Sequence, residues 1–207
     1  MNCQLTTSTH RFLSRHLLII LALIAINNLN AATVLNVSMD EMLANSEFVF
    51  EGKAIAIDIE KGANINLTKT VVEFAIIDVI KGSYAGNSIR LRFAGGTVDG
   101  VTLRISGLHY PNLGETGIFF VESLSEDLIH PFYGWSQGHF LVTKDGHVTT
   151  RGEIPVVDII ETKTSEQGDS ITHGDGIARG VILRKSRNEG PGMTREQFKN
   201  KLRTLQE

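Results

Sequence analysis

The sequence predicts a mainly-β fold: a small, bent barrel of five to seven strands, with a short helix before it and an amphipathic helix after it. Three observations carry this expectation. First, Thr70–Phe93 holds two strands joined by a turn at Lys81–Asn87. The second strand alternates, with Ile89, Leu91 and Phe93 on one face and Ser88, Arg90 and Arg92 on the other, which is the period-two pattern of a strand with one dry face. Second, both long strand segments change phase partway. Phe48 and Phe50 fall on even positions but Ile55, Ile57 and Ile59 on odd ones, with Gly52 at the change; likewise Val72, Phe74 and Ile76 give way to Ile77 and Val79. A one-residue slip turns every later side chain to the other face unless a bulge absorbs it, and small barrels turn corners with bulges. Third, no strand–helix–strand alternation occurs, so a parallel α/β sheet is not expected.

Residues 1–32 read as a secretory signal peptide. Arg11 and Arg15 precede an apolar run from Leu17 to Ile26, and small residues end the segment at Ala31-Ala32. Ten apolar residues are too few to span a bilayer, which needs about 20. The expected location is therefore secreted or periplasmic, with no membrane anchor after cleavage. Removing the leader leaves 175 residues from Thr33, enough for one domain with a sizeable core. The single cysteine, Cys3, lies in the leader. The remainder then has no disulfide, thiol nucleophile or thiolate metal site.

The expected layout places the barrel in residues 33–160, a polar loop with a candidate edge strand in 161–192, and the amphipathic helix in 193–207. Ser38 and Glu41 form a capping box for the first helix, with Val37 and Met42 as a hydrophobic staple. Glu47–Glu60 is a long strand and Lys61–Leu67 a polar loop. After Phe93, the glycine-rich 94–100 leads to a strand in which Val101, Leu103 and Ile105 alternate with Thr102, Arg104 and Ser106. Gly117–Val121 is apolar throughout and reads as a buried central strand. Phe140–Thr150 reads as a hairpin turning through a two-residue type I′ turn at Asp145-Gly146. Ile177–Lys185 is the candidate edge strand. Thr194 and Gln197 form a second capping box, Met193 staples to Phe198, and Phe198, Leu202 and Leu205 make one apolar stripe.

Charge is unevenly placed. Residues 33–176 carry 20 acidic and 10 basic side chains, whereas 177–207 carry 3 and 8. A basic tail folding back on an acidic body accounts for this, and so does a tail that grips an anionic partner.

Gly134-Trp135-Ser136-Gln137-Gly138 matches G-x-S-x-G, the nucleophile elbow of α/β-hydrolases. That elbow needs a strand before it and a helix after it. Here His130–Tyr133 precedes and a hairpin follows, although a triad of Ser136 with His173 and Asp145 or Asp158 can be written on paper. The reading preferred here is a bend before the hairpin. His109, His130, His139, His147 and His173 show no close metal-ligand spacing, and no metal or cofactor is expected. The candidate binding surface is the wet face bearing Arg90, Arg92 and Arg104. If Phe93 pairs with Val101, Arg90 opposes Arg104, and like charges across a ladder call for water, acidic neighbours or an anionic ligand. No aromatic is interleaved for base stacking and the net charge is −3, so nucleic acid is not the expected partner.

Several runs carry a resemblance: Ser46–Ala54, Val79-Ile80-Lys81-Gly82, Gly95–Gly100, Gly114-Glu115 before Ile118-Phe119-Phe120, and Gly134–Phe140. Together they resemble a family of small, mostly uncharacterised exported bacterial proteins. The strand order is also similar to the oligonucleotide/oligosaccharide-binding (OB) barrel of tissue inhibitors of metalloproteinases and netrin-like modules. That likeness implies an OB-like barrel. The inhibitors' amino-terminal cysteine and disulfides have no counterpart here, so no residue of their mechanism carries over. The expected function is an exported non-enzymatic binding or interaction module whose partner is a protein or glycan. The alternatives are an exported protease inhibitor or protease companion, and a serine hydrolase using Ser136.

Overall fold

The centre of the molecule is a six-stranded antiparallel sheet in the order β4-β3-β2-β7-β8-β9. Its strands are β2 (Phe48–Glu60), β3 (Lys69–Lys81), β4 (Ser88–Ala94), β7 (Thr116–Val121), β8 (His139–Val142) and β9 (Val148–Thr150). The computed structural model describes residues 33–162, 171–173, 176–184 and 190–206, with Thr33 and Ile171–His173 described through their backbone alone. The expected leader, residues 1–32, lies outside the described residues. Among those described, no helix is long and apolar enough to cross a membrane. Three two-stranded ladders complete the β structure: β5 (Gly96–Val98) with β6 (Val101–Leu103), β10 (Val156–Ile159) with β12 (Val181–Leu183), and β1 (Thr33–Leu35) with β11 (Ile171–His173). β12 falls within the expected edge strand.

The phase changes are bulges. Along the β2–β3 ladder, Val49 pairs with Lys81 and Phe50 with Val79, skipping Ile80; Glu51 pairs with Asp78 and Gly52 with Ile76, skipping Ile77; Ala54 pairs with Phe74 and Ala56 with Glu73, skipping Ile55. Each skipped residue bends the ribbon and increases its twist. They do not close it. Among the described residues β4 and β9 remain the two edges of an open sheet, so a closed barrel is not observed. Closure needs the outer strands to pair, and here covering segments shield each face instead.

The central part of the sheet is dry on both faces. On one, Val49, Ile118, Phe120, Phe140 and Val148 pack with α1 (Met39–Asn45) and α2 (Arg195–Thr204) through Met39, Met42, Phe198 and Leu202. On the other, Phe48, Phe50, Phe74, Phe93, Phe119 and Phe132 form an aromatic core. This explains why β7 is apolar throughout: Ile118 and Phe120 serve one core, Phe119 and Val121 the other.

Both capping boxes form. The Ser38 and Thr194 hydroxyls accept from the amides of Glu41 and Gln197, whose side chains reach back to the cap amides. Lys81 completes α1 by donating to the carbonyls of Leu43 and Ala44, a cation at a helix carboxy-terminus.

The expected β8–β9 hairpin forms, but not through a two-residue type I′ turn. At Lys144–Gly146, the Gly146 amide donates to Thr143 and the Thr143 amide to His147, and of the turn residues only Gly146 has positive φ. That is a three-residue loop with a glycine bulge. The two-residue type I′ turn is Asp99-Gly100, with φ of 52° and 78°, joining Val98 to its partner Val101.

The basic tail grips its own acidic body. Lys199 reaches Glu51 at 2.8 Å, Asp78 at 2.9 Å and Glu196 at 3.0 Å, while Arg195 holds Glu51 and Arg203 holds Asp78. Asp78 on β3 thereby docks α2.

Candidate functional site

The structure separates Arg104 from the other two arginines of the candidate surface. Arg90 pairs with Asp58 (3.5 Å) and Arg92 with Glu60 (2.8 Å). To reach β2 both side chains cross β3, where Val71 lies in register between Asp58 and Arg92 and is 1% exposed. The supposed pairing of Phe93 with Val101 does not occur. Phe93 pairs with Thr70, Arg90 opposes Glu73, and Val101 belongs to the separate β5–β6 hairpin. Arg104 therefore stands apart, exposed beyond β6.

The G-x-S-x-G run is a 3₁₀ turn, Trp135–Gly138, between the bridge that pairs Phe132 with Val121 and strand β8. It is not a strand–turn–helix elbow. Two consecutive residues are left-handed, Gly134 (φ 65°), where glycine bears no cost, and Trp135 (φ 59°), where the conformation is costly for a bulky side chain. Two features hold it. Trp135 stacks on His130 at 5.6 Å with the rings 13° apart. Gln137 accepts from the Val37 amide and donates to the carbonyls of Leu35 and Gly134. The motif is thus a clamp on the segment leading into α1. Gly138 serves close packing, because a Cβ there would meet the Tyr133 carbonyl at 2.5 Å. Of the paper triad, Asp145 sits in the β8–β9 loop, Asp158 on β10 pairs with Lys201, and the His173 side chain lies outside the described residues.

The turn roofs a cavity of about 450 Å³ whose lining includes His109, Ser136, His139, Thr150, Arg151 and Gly152. Its volume lies within the about 300–1,000 Å³ of small-molecule sites. His139 begins β8 and its side chain is wholly buried. Its Nε2 lies 2.7 Å from Glu115 Oε1, at the entry to β7. Burial holds the ring below the ordinary imidazole range, against the pull of Glu115, and nearby Arg151 and His109 add to the depression. The ring is therefore neutral. Burial works to raise the Glu115 carboxyl, but His139 and Asn112 outweigh it and hold it below the usual range. An ionised carboxylate only accepts, so the ring carries its proton on Nε2. Nδ1 is then a lone-pair acceptor, and it has no hydrogen-bond partner.

His130 is built the other way. Its Nδ1 accepts from the Phe132 amide, which leaves the proton on Nε2, and that atom has no hydrogen bond. Burial, with His139 adjacent, pushes it down to about 3. Three of the histidines noted in the sequence, 109, 130 and 139, are therefore electrostatic neighbours. Among the described residues no cluster of three or more ligating side chains could hold a metal ion.

Sequence reasoning missed Glu115, Thr150 and Arg151 as members of this site. Glu115 and His139 are 24 residues apart, and only the pairing of β7 with β8 brings them together. No protein-family model, no curated protein and no solved structure matches the chain.

Proposed function

We propose that this chain is an exported, non-enzymatic binding module that holds its ligand in the cavity beneath the 135–138 turn. The observation that carries this reading is the cavity itself: about 450 Å³, walled by Ser136, Thr150 and Arg151 with the apolar Phe140, Ile154, Ile177 and Ala178 beside them, the mixture of apolar wall and few polar groups that small-molecule sites show. The arginine surface supports a partner less well, because Arg90 and Arg92 already meet carboxylates of the same chain. Export rests on the leader pattern of residues 1–32. The test is amide shift mapping by nuclear magnetic resonance with separate additions of sugars, sugar acids, hydroxy acids, amino acids and phosphate. Shifts confined to the amides around Ser136, His139 and Thr150–Gly152 are expected from at least one class. Shifts centred on Ser88–Arg92, or none, would overturn the reading.

A second reading has one observation in its favour: Ser136 and His139 line the same cavity and Glu115 holds the His139 ring, the elements of a nucleophile, a base and an orienting carboxylate. A serine-directed fluorophosphonate probe separates the two. The binding reading expects no Ser136-dependent labelling, and labelling lost in Ser136→Ala would establish the hydrolase.

A further inference from the structure

We infer that the protein forms a two-fold dimer in which the free edge of β2, Ile55–Ile59, pairs antiparallel with the same segment of a second copy. This goes beyond the cavity reading and does not depend on it.

The segment is an open edge. β7 pairs with β2 only from Phe48 to Lys53. The chain leading into β7 touches β2 last at Ala54, whose amide donates to the Glu115 carbonyl and whose carbonyl accepts from the Gly114 amide. β3 continues beside β2 as far as Glu60, and among the described residues no strand pairs on the other side. Three apolar side chains mark the stretch. Ile55, Ile57 and Ile59 are 47%, 41% and 42% exposed, whereas Val71 and Val72 on the adjoining β3 are 1% and 0%. Ile57 pairs with Val72, a member of the aromatic core, so that layer extends to the edge and stops there in water. Proteins ordinarily guard such an edge by shortness or by charge. The outer strands of this sheet follow the rule: β9 has three residues, and β4 carries Arg90 and Arg92. On β2 the charges, Asp58 and Glu60, are already engaged by those two arginines.

A second copy is the occupant that the segment's own sequence fits. With Ile57 opposite its counterpart, Ile55 faces Ile59 in both directions and the small Ala56 faces Asp58. The isoleucine row of each copy then meets that of the other, and no like charges are opposed. Cross-strand pairs of β-branched residues suit an antiparallel ladder. The neighbouring registers fit less well. A two-residue shift one way sets the two Asp58 carboxylates against each other, and the other way leaves Ile59 facing Lys53. A one-residue shift turns the isoleucines of one copy to the acidic face.

Sedimentation velocity over a concentration series reaching the millimolar range tests this, with amide hydrogen exchange at both ends of the series. A reversible monomer–dimer equilibrium is expected, and the Ala56–Ile59 amides should exchange more slowly at the concentrated end. Ile57→Lys places two ammonium groups opposite each other at the two-fold axis and should weaken dimerisation by about tenfold or more. Ile55→Lys, at the end of the pairing, should weaken it as well, and Ile57→Val should preserve it. Thermal unfolding of the dilute proteins checks that each variant folds. Ile182→Lys, at a similarly exposed position (40%) on β12, should leave the equilibrium unaltered. A monomer at every concentration, whatever else the edge then binds, would overturn the inference. So would undiminished dimerisation in both lysine variants of β2, or protection appearing on Ile77–Lys81 or Ser88–Arg92 in place of Ala56–Ile59.

Discussion

Lys199 Nζ lies 2.8 Å from Glu51 Oε2, with the two side chains 5% and 1% exposed, so the carboxy-terminal helix is fastened to the middle of the sheet by a buried ion pair. Asp78 and Glu196 also bind this ammonium, and their attraction outweighs burial to hold it above the ordinary lysine range. Lys199→Met leaves Glu51 buried with Arg195 as its one remaining cation. The expected loss is about 3 kcal/mol, because removing one partner strands a buried charge. Lys199→Met combined with Glu51→Gln should lose less than Lys199→Met alone. Urea denaturation of the single and double variants checks both statements.

Acid should destabilise the protein before its carboxylates titrate. His130 is held neutral at about 3 against an ordinary 6.5, and His139 is depressed in the same direction. Their folded-state values lie below the unfolded ones, so the unfolded chain binds the extra protons. Stability is complete above pH 6.5 and falls as the pH drops toward 3, by on the order of 2 kcal/mol at pH 5 from His130 alone. His130→Asn retains an acceptor for the Phe132 amide and removes the titration. Its unfolding free energy should show a correspondingly shallower slope between pH 6.5 and 4.

Gln137→Leu removes three hydrogen bonds and leaves the Val37 amide unpaired. A loss of about 2–3 kcal/mol is expected, since an unsatisfied buried donor bears its desolvation cost. The damage should be local to the approach to α1, so limited proteolysis near residues 33–37 should accelerate more than cleavage elsewhere.

Arg90→Glu and Arg92→Glu place new carboxylates beside Asp58 and Glu60. These groups are exposed, so each change should cost no more than about 1 kcal/mol and less at high salt. Recovery of a bound partner from envelope extract should be the same with Arg90, Arg92 and Arg104 all changed to Glu as with the unaltered protein. Lost recovery would return the arginine face to the centre of the account.

What was legible in the sequence was local. The capping boxes at Ser38–Glu41 and Thr194–Gln197 are read within four residues, and the skipped residues Ile55 and Ile77 show as breaks in a period-two pattern. What was not legible depends on which strands become neighbours. The same bulges serve a closed barrel and a bent open sheet, and only the pairing of β4 and β9 distinguishes them. The Asp-Gly step alone does not choose a turn: Asp99-Gly100 takes the primed form, whereas at Asp145-Gly146 only the glycine turns left-handed. Glu115 and His139 bear no spacing signature, because β7 and β8 bring them together across a loop. Arg151 gave no signal, since only the folded chain places it beside Ser136 and Ala178 at the cavity wall.

The most direct test is amide shift mapping of the protein with separate additions of sugars, hydroxy acids, amino acids and phosphate. The account predicts that at least one class shifts the amides lining the cavity beneath the 135–138 turn, around Ser136, His139 and Thr150–Gly152. No shifts, or shifts centred on Ser88–Arg92, would contradict it.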